Sequence, residues 1–183
     1  MNDTERDEPT RDISTRPLED LEDLEDLEDH AATQHGHELE QVRVVAQANA
    51  GRPDQPRQVR LRWAKLSLNA NERLHGEGPW DRARMLGHNF LLRAWVIEHL
   101  GSDTDPDWNP EILAADTLAA LTLDPTHART MSAGWRDLPI EQIDELRRQK
   151  NLTAHLDRLV DILQPGPTKD RLVAWVEVRE LLP

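Results

Sequence analysis

Residues that start and stop helices recur at short intervals through the second half of this chain, and they restrict its fold more than any other feature. Asn109-Pro110 and Asp124-Pro125 each pair an N-cap residue with a proline suited to the first helical turn. Further starts and stops stand at Pro79, Gly101, Gly134, Pro139 and 165–167. This punctuation predicts about five helices between residues 80 and 182, joined by short connections.

Apolar residues between these signals recur at helical spacing. The segment after Pro79 carries Leu86, Phe90, Ala94 and Ile97, and the next is expected to run through Ile112, Ala115 and Ala119. The later segments carry Ile143, Leu146, Leu152, Leu156, Leu159 and Leu163 with a break near Asn151, and then, after a cap at Thr168, Leu172, Trp175, Val176 and Leu182. The sequence therefore predicts a mainly α protein, a compact bundle in which the six tryptophans are core or core-edge anchors.

The region 39–68 is ambiguous between a β-hairpin and helices. Val59, Leu61 and Trp63 alternate with arginines, which is typical of a strand, but Val59, Trp63 and Leu66 also share a helical face. Gly51, Pro53 and Pro56 place a loop in the middle. We expect a helix over 39–49 and leave 58–68 open.

Residues 1–38 are expected to form a disordered acidic tail ahead of a single helical domain at 39–183. Leu-Glu-Asp occurs four times from Leu18 to Asp29, so eight carboxylates lie within twelve residues. Leucines three residues apart would drift around a helix, so we do not expect them to form a core stripe. The first 30 residues carry 13 acids and three arginines, a net charge of −10 out of −13 for the whole chain. An alternative is an acidic segment that folds on a basic partner.

Composition excludes several classes of site. There are no cysteines, so disulfides, thiolate nucleophiles and cysteine-bound zinc are absent. No Gly-rich phosphate loop and no nucleophile-elbow motif occurs, and we predict no cofactor. The histidines at 30, 35 and 37 have no fixed geometry, so no metal site is predicted. With no apolar run of membrane-spanning length, we expect a cytoplasmic protein. We also expect a bacterial or phage origin, and the Arg-rich, Ala-rich and Leu-rich composition indicates a GC-rich coding bias.

A basic segment near the start of the domain is the candidate binding site. Six basic residues lie between positions 43 and 65 against one acid, Asp54. A basic segment with an interleaved tryptophan is suited to holding phosphates and stacking a base. The candidate partner-binding or nucleic-acid-binding residues are Arg43, Arg52, Arg57, Arg60, Arg62, Trp63 and Lys65. The acidic tail lies close upstream and is a candidate competitor for this segment, so deleting the tail would then raise nucleic-acid affinity.

Residues 65–76, KLSLNANERLHG, are similar to the opening of RusA-type Holliday-junction resolvases, which carry an LSLN…R-x-H stretch after their first strand. Asp105-Pro106-Asp107 is loosely similar to the metal-binding acidic run of that family. The resemblance implies a metal-dependent nuclease using Asp103, Asp105 and Asp107. Two departures are that Trp108 stands where the family has Asn, and that 80–100 reads as a helix where the family has a strand.

These observations favour a non-enzymatic helical interaction protein, a small subunit or regulator of a larger complex. We expect a protein partner and no membrane association, and leave open a nucleic-acid partner through the segment from Arg43 to Lys65. The alternatives are a nucleic-acid-binding small subunit, an antitoxin-like phage or plasmid regulator, or the metal-dependent nuclease.

Overall fold

The computed structural model describes residues 35–76 and 78–183, together with Leu24, Leu27, Glu28 and Ala31. Within these residues the secondary structure is helical and contains no strand, which confirms the mainly α prediction. Between residues 35 and 183, residue 77 apart, two α-helices precede the predicted bundle and six, one more than expected, form it. None of the described helices is both long and apolar enough to cross a bilayer.

The ambiguous region forms two antiparallel helices, α1 (His37–Ala50) and α2 (Arg57–Leu74). Their pairing is visible at both ends: Arg60 Nε donates to the Ala50 carbonyl at 2.9 Å, and Ser67 Oγ donates to the Arg43 carbonyl at 3.2 Å. The β-hairpin alternative for 39–68 is therefore wrong. The buried residues follow helical spacing: Leu39, Val42 and Ala46 on α1, and Leu61, Ala64 and Leu68 on α2. Of the two periods present in the sequence, the structure therefore follows the helical one.

Helix α3 (Pro79–Leu100) begins and ends where the sequence predicts. Gly101 follows with φ 84°, a left-handed conformation that glycine adopts without strain. Five shorter helices come next: α4 (Pro110–Ala120), α5 (Pro125–Ala133), α6 (Ile140–Leu152), α7 (Leu156–Ile162) and α8 (Pro167–Arg179). Short 3₁₀ turns lie at Pro106–Trp108 and Trp135–Asp137.

The predicted caps are present at two of these helices. Asn109 Oδ1 accepts from the backbone N–H groups of Glu111 and Ile112 at 3.0 and 3.1 Å, and Asp124 Oδ1 accepts from His127 N at 2.9 Å. Thr168 is not the cap of the last helix, because Gly166 precedes the helix and Pro167 occupies its first turn.

The inward face of α4 differs from the expected one. Leu113, Ala114 and Thr117 are buried, whereas Ile112, Ala115 and Ala119 are exposed. Nearly every residue of this helix is apolar or small, so several faces satisfy the same spacing. Contacts with its neighbours select one of them.

Among the described residues, the core consists of two hydrophobic clusters that meet at α3. Leu92 and Val96 of α3 join the cluster of α1, α2 and Trp108. Phe90, Ala94 and Ile97, on the other side of the same helix, join the cluster of α4 to α8. Trp63, Trp108 and Trp175 are buried and Trp80, Trp95 and Trp135 are half-buried, as expected of core and core-edge anchors.

Part of the N-terminal segment packs on this core. Leu24, Leu27 and Ala31 are helical and 0%, 6% and 5% exposed, and all belong to the first cluster. The expectation that the repeat leucines lie outside the core is therefore wrong for Leu24 and Leu27, whose spacing to Ala31 is that of one helical face. The rest of the acidic repeat and its expected disorder lie outside the described residues.

Candidate nucleic-acid or partner interface

The basic segment is divided between α1, the loop after it and α2, so its cations point in several directions. Arg57 reaches the end of α3, where its Nε donates to the Leu100 carbonyl at 2.7 Å and its Nη1 lies 3.0 Å from Asp103 Oδ2. The hydrogen bond from Arg57 holds the pKa of Asp103 below its ordinary value. Arg57 thus fastens α2 to the last turn of α3, whose carbonyls lack helical partners.

Lys65 is engaged by the acidic loop that follows α3. Its Nζ pairs with Asp107 and lies 3.5 Å from Asp105 Oδ1. Burial lowers the pKa of Lys65, but the two carboxylates outweigh that effect and hold it above its ordinary value. The acidic run at 103–107 therefore serves as a counter-charge for Arg57 and Lys65.

The three acids that the resemblance assigns to a metal, Asp103, Asp105 and Asp107, instead lie against Arg57 and Lys65. Among the described residues, no group of three or more His, Cys, Asp or Glu side chains is arranged to hold a metal ion. Residues 79–100 form one helix where the resemblance requires a strand, and Trp108 is buried behind the acidic loop.

Two further arginines of the segment contact acids, and the tryptophan is inaccessible. Arg52 Nη2 lies 2.6 Å from Asp54 Oδ2, and Arg62 Nη2 lies 2.8 Å from Glu28 Oε2. Glu28 is the one described carboxylate of the acidic repeat, so this ion pair joins the repeat to the basic segment as the sequence suggested. Trp63 is 1% exposed and cannot stack on a base.

The two remaining basic residues lie at a groove between α1, α2 and α3, which we name the Arg43–Trp95 groove. It encloses about 550 Å³. Arg43 lines it, and Arg60 places its guanidinium 6.0 Å from the centre of the Trp95 ring on the groove wall. Its lining residues are Arg43, Gln47, Gly51, Ser67, Asn71, His88, Asn89, Leu91, Leu92, Trp95 and Arg158.

The floor of this groove is polar and internally hydrogen-bonded. Asn71 and Asn89 are 3% and 7% exposed, and Asn71 Nδ2 donates to Asn89 Oδ1 at 2.7 Å. Asn71 Nδ2 also donates to the Met85 carbonyl at 3.1 Å, and Asn71 Oδ1 lies 3.0 Å from His75 Nε2. Buried amides that satisfy one another fix the distance between α2 and α3. They give the groove a defined width.

On the wall of the groove, the Trp95 ring lies beside the Arg60 guanidinium and the His99 ring. Trp95 stacks on His99, with ring centres 4.8 Å apart and an angle of 18° between the planes. Leu91, one turn earlier on α3, is 37% exposed. The groove therefore presents an apolar surface flanked by Arg43 on one side and Arg158, from α7, on another.

The charged side chains in the lining of the groove are both arginines. Its lining contains two arginines and one histidine but no carboxylate, whereas each of three other grooves in the described part of the chain is lined by at least two carboxylates. Arg43 is paired from outside the lining by Glu40, with Nη2 to Oε1 at 2.6 Å, and Arg158 is paired with Glu98. Partial burial, followed by the charges of Arg43, His75 and Arg84, lowers the pKa of His88. The charge of Glu40 opposes this shift.

Sequence reasoning identified Arg43 and Arg60 and missed the other side of the groove. His88, Leu91, Trp95 and Arg158 come from α3 and α7, and nothing in local charge density points to them. The signal that could have found this side was Asn89 inside the helix predicted after Pro79, because an amide in a helix interior is usually there to make a specific contact.

No family model, no curated protein and no solved structure matches this chain.

Proposed function

We propose that this protein is a non-enzymatic interaction protein, a small subunit or regulator of a larger assembly, which binds an acidic segment of a protein partner in the Arg43–Trp95 groove. One observation carries the proposal: this groove combines two arginines with an accessible leucine and tryptophan and has no carboxylate in its lining. Arginine and aromatic side chains are the groups that dominate binding energy at protein interfaces.

Arg43 keeps donors for a ligand although it is already paired. Its Nε and Nη2 donate to Glu40 and its Nη1 donates to Gln47 at 3.2 Å. A guanidinium has five N–H groups, so two remain for an incoming carboxylate. Arg158, 42% exposed at its side chain, is more accessible. A partner residue with an acid beside an apolar side chain would meet Arg43 or Arg158 and the surface of Leu91 and Trp95 together.

A protein segment suits this groove better than nucleic acid. The chain carries a net charge of −13, and residues 31–183 remain at about −3, so a polyphosphate is repelled at long range. Trp63 is buried, and the remaining cations of the segment from Arg52 to Lys65 contact groups of this chain. The nucleic-acid-binding small subunit and the antitoxin-like regulator stay as alternatives. The crosslinking experiment below distinguishes a protein ligand from nucleic acid.

The proposal is tested by photo-crosslinking in the native cells from position 91, where a benzoylphenylalanine replaces the exposed Leu91. We expect one crosslinked adduct that resists nuclease and is digested by protease. Changing both Arg43 and Arg158 to Ala should reduce its yield at least tenfold, because both carboxylate contacts are lost. The matched control changes Arg136 and Arg171 to Ala, which removes two exposed arginines that do not line the groove, and should leave the adduct unchanged.

A second control places the photo-crosslinker at Ile140, which is 57% exposed and lies outside the groove. The same adduct from Ile140 would contradict binding in the groove. An adduct at position 91 that disappears with nuclease would assign the groove to nucleic acid instead. Equal yields from the two double-arginine variants would show that the arginines do not hold the partner.

A further inference from the structure

A second surface of α2 is covered by the chain itself. The described residues Leu24, Leu27, Glu28 and Ala31, which we name the strap, lie over it. This surface shares no lining residue with the Arg43–Trp95 groove, since the groove uses Ser67 and Asn71 of α2 whereas the strap lies over Lys65, Leu66, Asn69, Ala70 and Arg73. The surface under the strap is therefore a separate site from that groove.

The α2 surface under the strap is an apolar strip with cations along it. Leu66 and Ala70 are 4% and 2% exposed and pack in the same cluster as the strap's leucines. Arg62 pairs with Glu28 at 2.8 Å, and Arg73 Nη1 donates to the Ala31 carbonyl. Arginines of α2 therefore hold the strap at Glu28 and at Ala31.

The fit between strap and α2 is incomplete. A groove of about 630 Å³ remains between them, lined by Glu28 and Ala31 on one side and Lys65, Leu66, Asn69, Ala70, Glu72 and Arg73 on the other. The Arg62–Glu28 pair is also solvent-exposed, at 37% and 38% of the two side chains, so it holds the strap weakly.

The sequence of the strap indicates which kind of helix this surface binds. From Leu24 to Ala31 the sequence is LEDLEDHA, with apolar groups at the first, fourth and eighth positions and the paired acid at the fifth. Leucines at the first and fourth positions recur in the preceding repeats, but alanine at the eighth occurs only here, so this register alone matches all the apolar positions. The surface therefore selects a helical pattern rather than any acidic chain.

We infer that this α2 surface is a docking site for an acidic, leucine-bearing helix of a partner protein, with the pattern Leu-x-x-Leu-Glu-x-x-Ala. The strap fills it in the free protein, and a partner helix of the same pattern displaces the strap. Two observations identify this occupant. Arg62 and Arg73 complement an acidic helix, and the chain's own acidic segment already packs on this surface.

The test uses the full chain and a fluorescent peptide with the sequence of residues 17–36. The variant L24D/L27D cannot rebury its strap and leaves the surface free. We expect this variant to bind the peptide at least ten times more tightly than the unchanged chain, whose strap competes. A control peptide carrying the same two Leu→Asp changes should bind neither chain. Adding R62E to the variant should weaken binding, and a peptide with Glu28→Arg should restore it.

Equal affinity of the peptide for the variant and the unchanged chain would overturn the inference, as would binding of the control peptide. Circular dichroism reports whether L24D/L27D keeps its helices. If it does not, the milder variant E28R replaces it, and it too should bind the peptide more tightly than the unchanged chain. A concentration-dependent dimer of the unchanged chain, abolished by L24D/L27D, would overturn filling by the chain's own strap and assign the surface to a second copy.

Discussion

At the residue scale, the side chain of His155 is an ionisable group held neutral inside the second hydrophobic cluster. It is 1% exposed, and its ring centre lies 5.2 Å from that of Phe90. Thr117 Oγ1 donates to the Leu113 carbonyl at 2.8 Å and lies 3.0 Å from His155 Nε2. The Thr117 hydroxyl has one proton, so His155 Nε2 must be the donor to it. Nδ1 is then left as an acceptor with no partner among the described residues.

This burial makes the protein sensitive to acid. Desolvation, followed by the charges of Arg93 and Arg179, lowers the pKa of His155 to about 3. In the unfolded chain the imidazole takes up a proton near pH 6.5, so below that pH the unfolded state binds a proton that the folded state does not. The free energy of unfolding therefore falls as pH drops from 6.5 towards 3, by about 1.4 kcal/mol per pH unit from this one residue.

Replacing His155 with Phe should remove that contribution, because the new side chain stays neutral in both states. We expect the slope of unfolding free energy against pH, measured by urea denaturation between pH 4 and 5.5, to be about 1.4 kcal/mol per unit smaller than in the unchanged chain. The Thr117–Leu113 hydrogen bond survives this change. His127→Phe, at an exposed site on α5, is the matched control. Parallel pH profiles for the unchanged chain and His155→Phe would show that His155 is not the source of the acid sensitivity.

At the scale of the elements, local signals predicted the helices whose ends are set by single residues. Asn109, Asp124 and Gly101 act within one turn of themselves, so their effect is visible in sequence. Residues 58–68 could not be assigned in this way because arginine is compatible with both the helical and the strand period. The repeat leucines, spaced three residues apart, likewise do not predict a buried helical face by themselves. Leu24 and Leu27 form such a face together with Ala31.

The candidate site was less predictable than the helices, since its geometry depends on residues far apart in sequence. Arg57 and Asp103 are separated by 46 residues, and Arg62 and Glu28 by 34. The number of basic residues in a segment says nothing about which ones find acids elsewhere. The groove needs α3 and α7 to meet α1 and α2, and that meeting depends on packing.

The contact between α3 and α6 depends on a glycine. A Cβ added at Gly87 would lie 2.9 Å from the Asn151 carbonyl oxygen, closer than such atoms approach without a shift. Gly87→Ala gains about 0.5–1 kcal/mol of helix propensity but overfills a backbone contact, which costs about 1–3 kcal/mol. We expect a net loss of about 1–2 kcal/mol in the free energy of unfolding measured with urea.

Gly134→Ala is the comparison for this change, because nothing lies within 4 Å of its added Cβ and its φ of −123° suits alanine. Its unfolding free energy should stay within about 0.5 kcal/mol of the unchanged chain. If Gly87→Ala were as stable as Gly134→Ala, the close approach of α3 and α6 would not hold in solution.

At the scale of the whole molecule, α3 belongs to both hydrophobic clusters. Leu92 and Val96 lie in one and Phe90, Ala94 and Ile97 in the other, so opening either cluster uncovers part of the same helix. In amide hydrogen exchange followed by mass spectrometry, peptides from residues 90–97 should therefore be among the slowest and should exchange only through global unfolding. Two separate exchange classes that divide within α3 would contradict a shared core.

Because α3 belongs to both clusters, the chain cannot be divided at Gly101 into two fragments that each keep a complete core. A fragment ending at Gly101 would keep α1, α2 and α3 but would carry Phe90, Ala94 and Ile97 bare to water. A fragment beginning after Gly101 would lack the helix against which α4, α6 and α7 pack. We therefore expect that neither fragment folds as a stable monomer when expressed alone. Fragments released by proteolysis between α3 and α4 should aggregate.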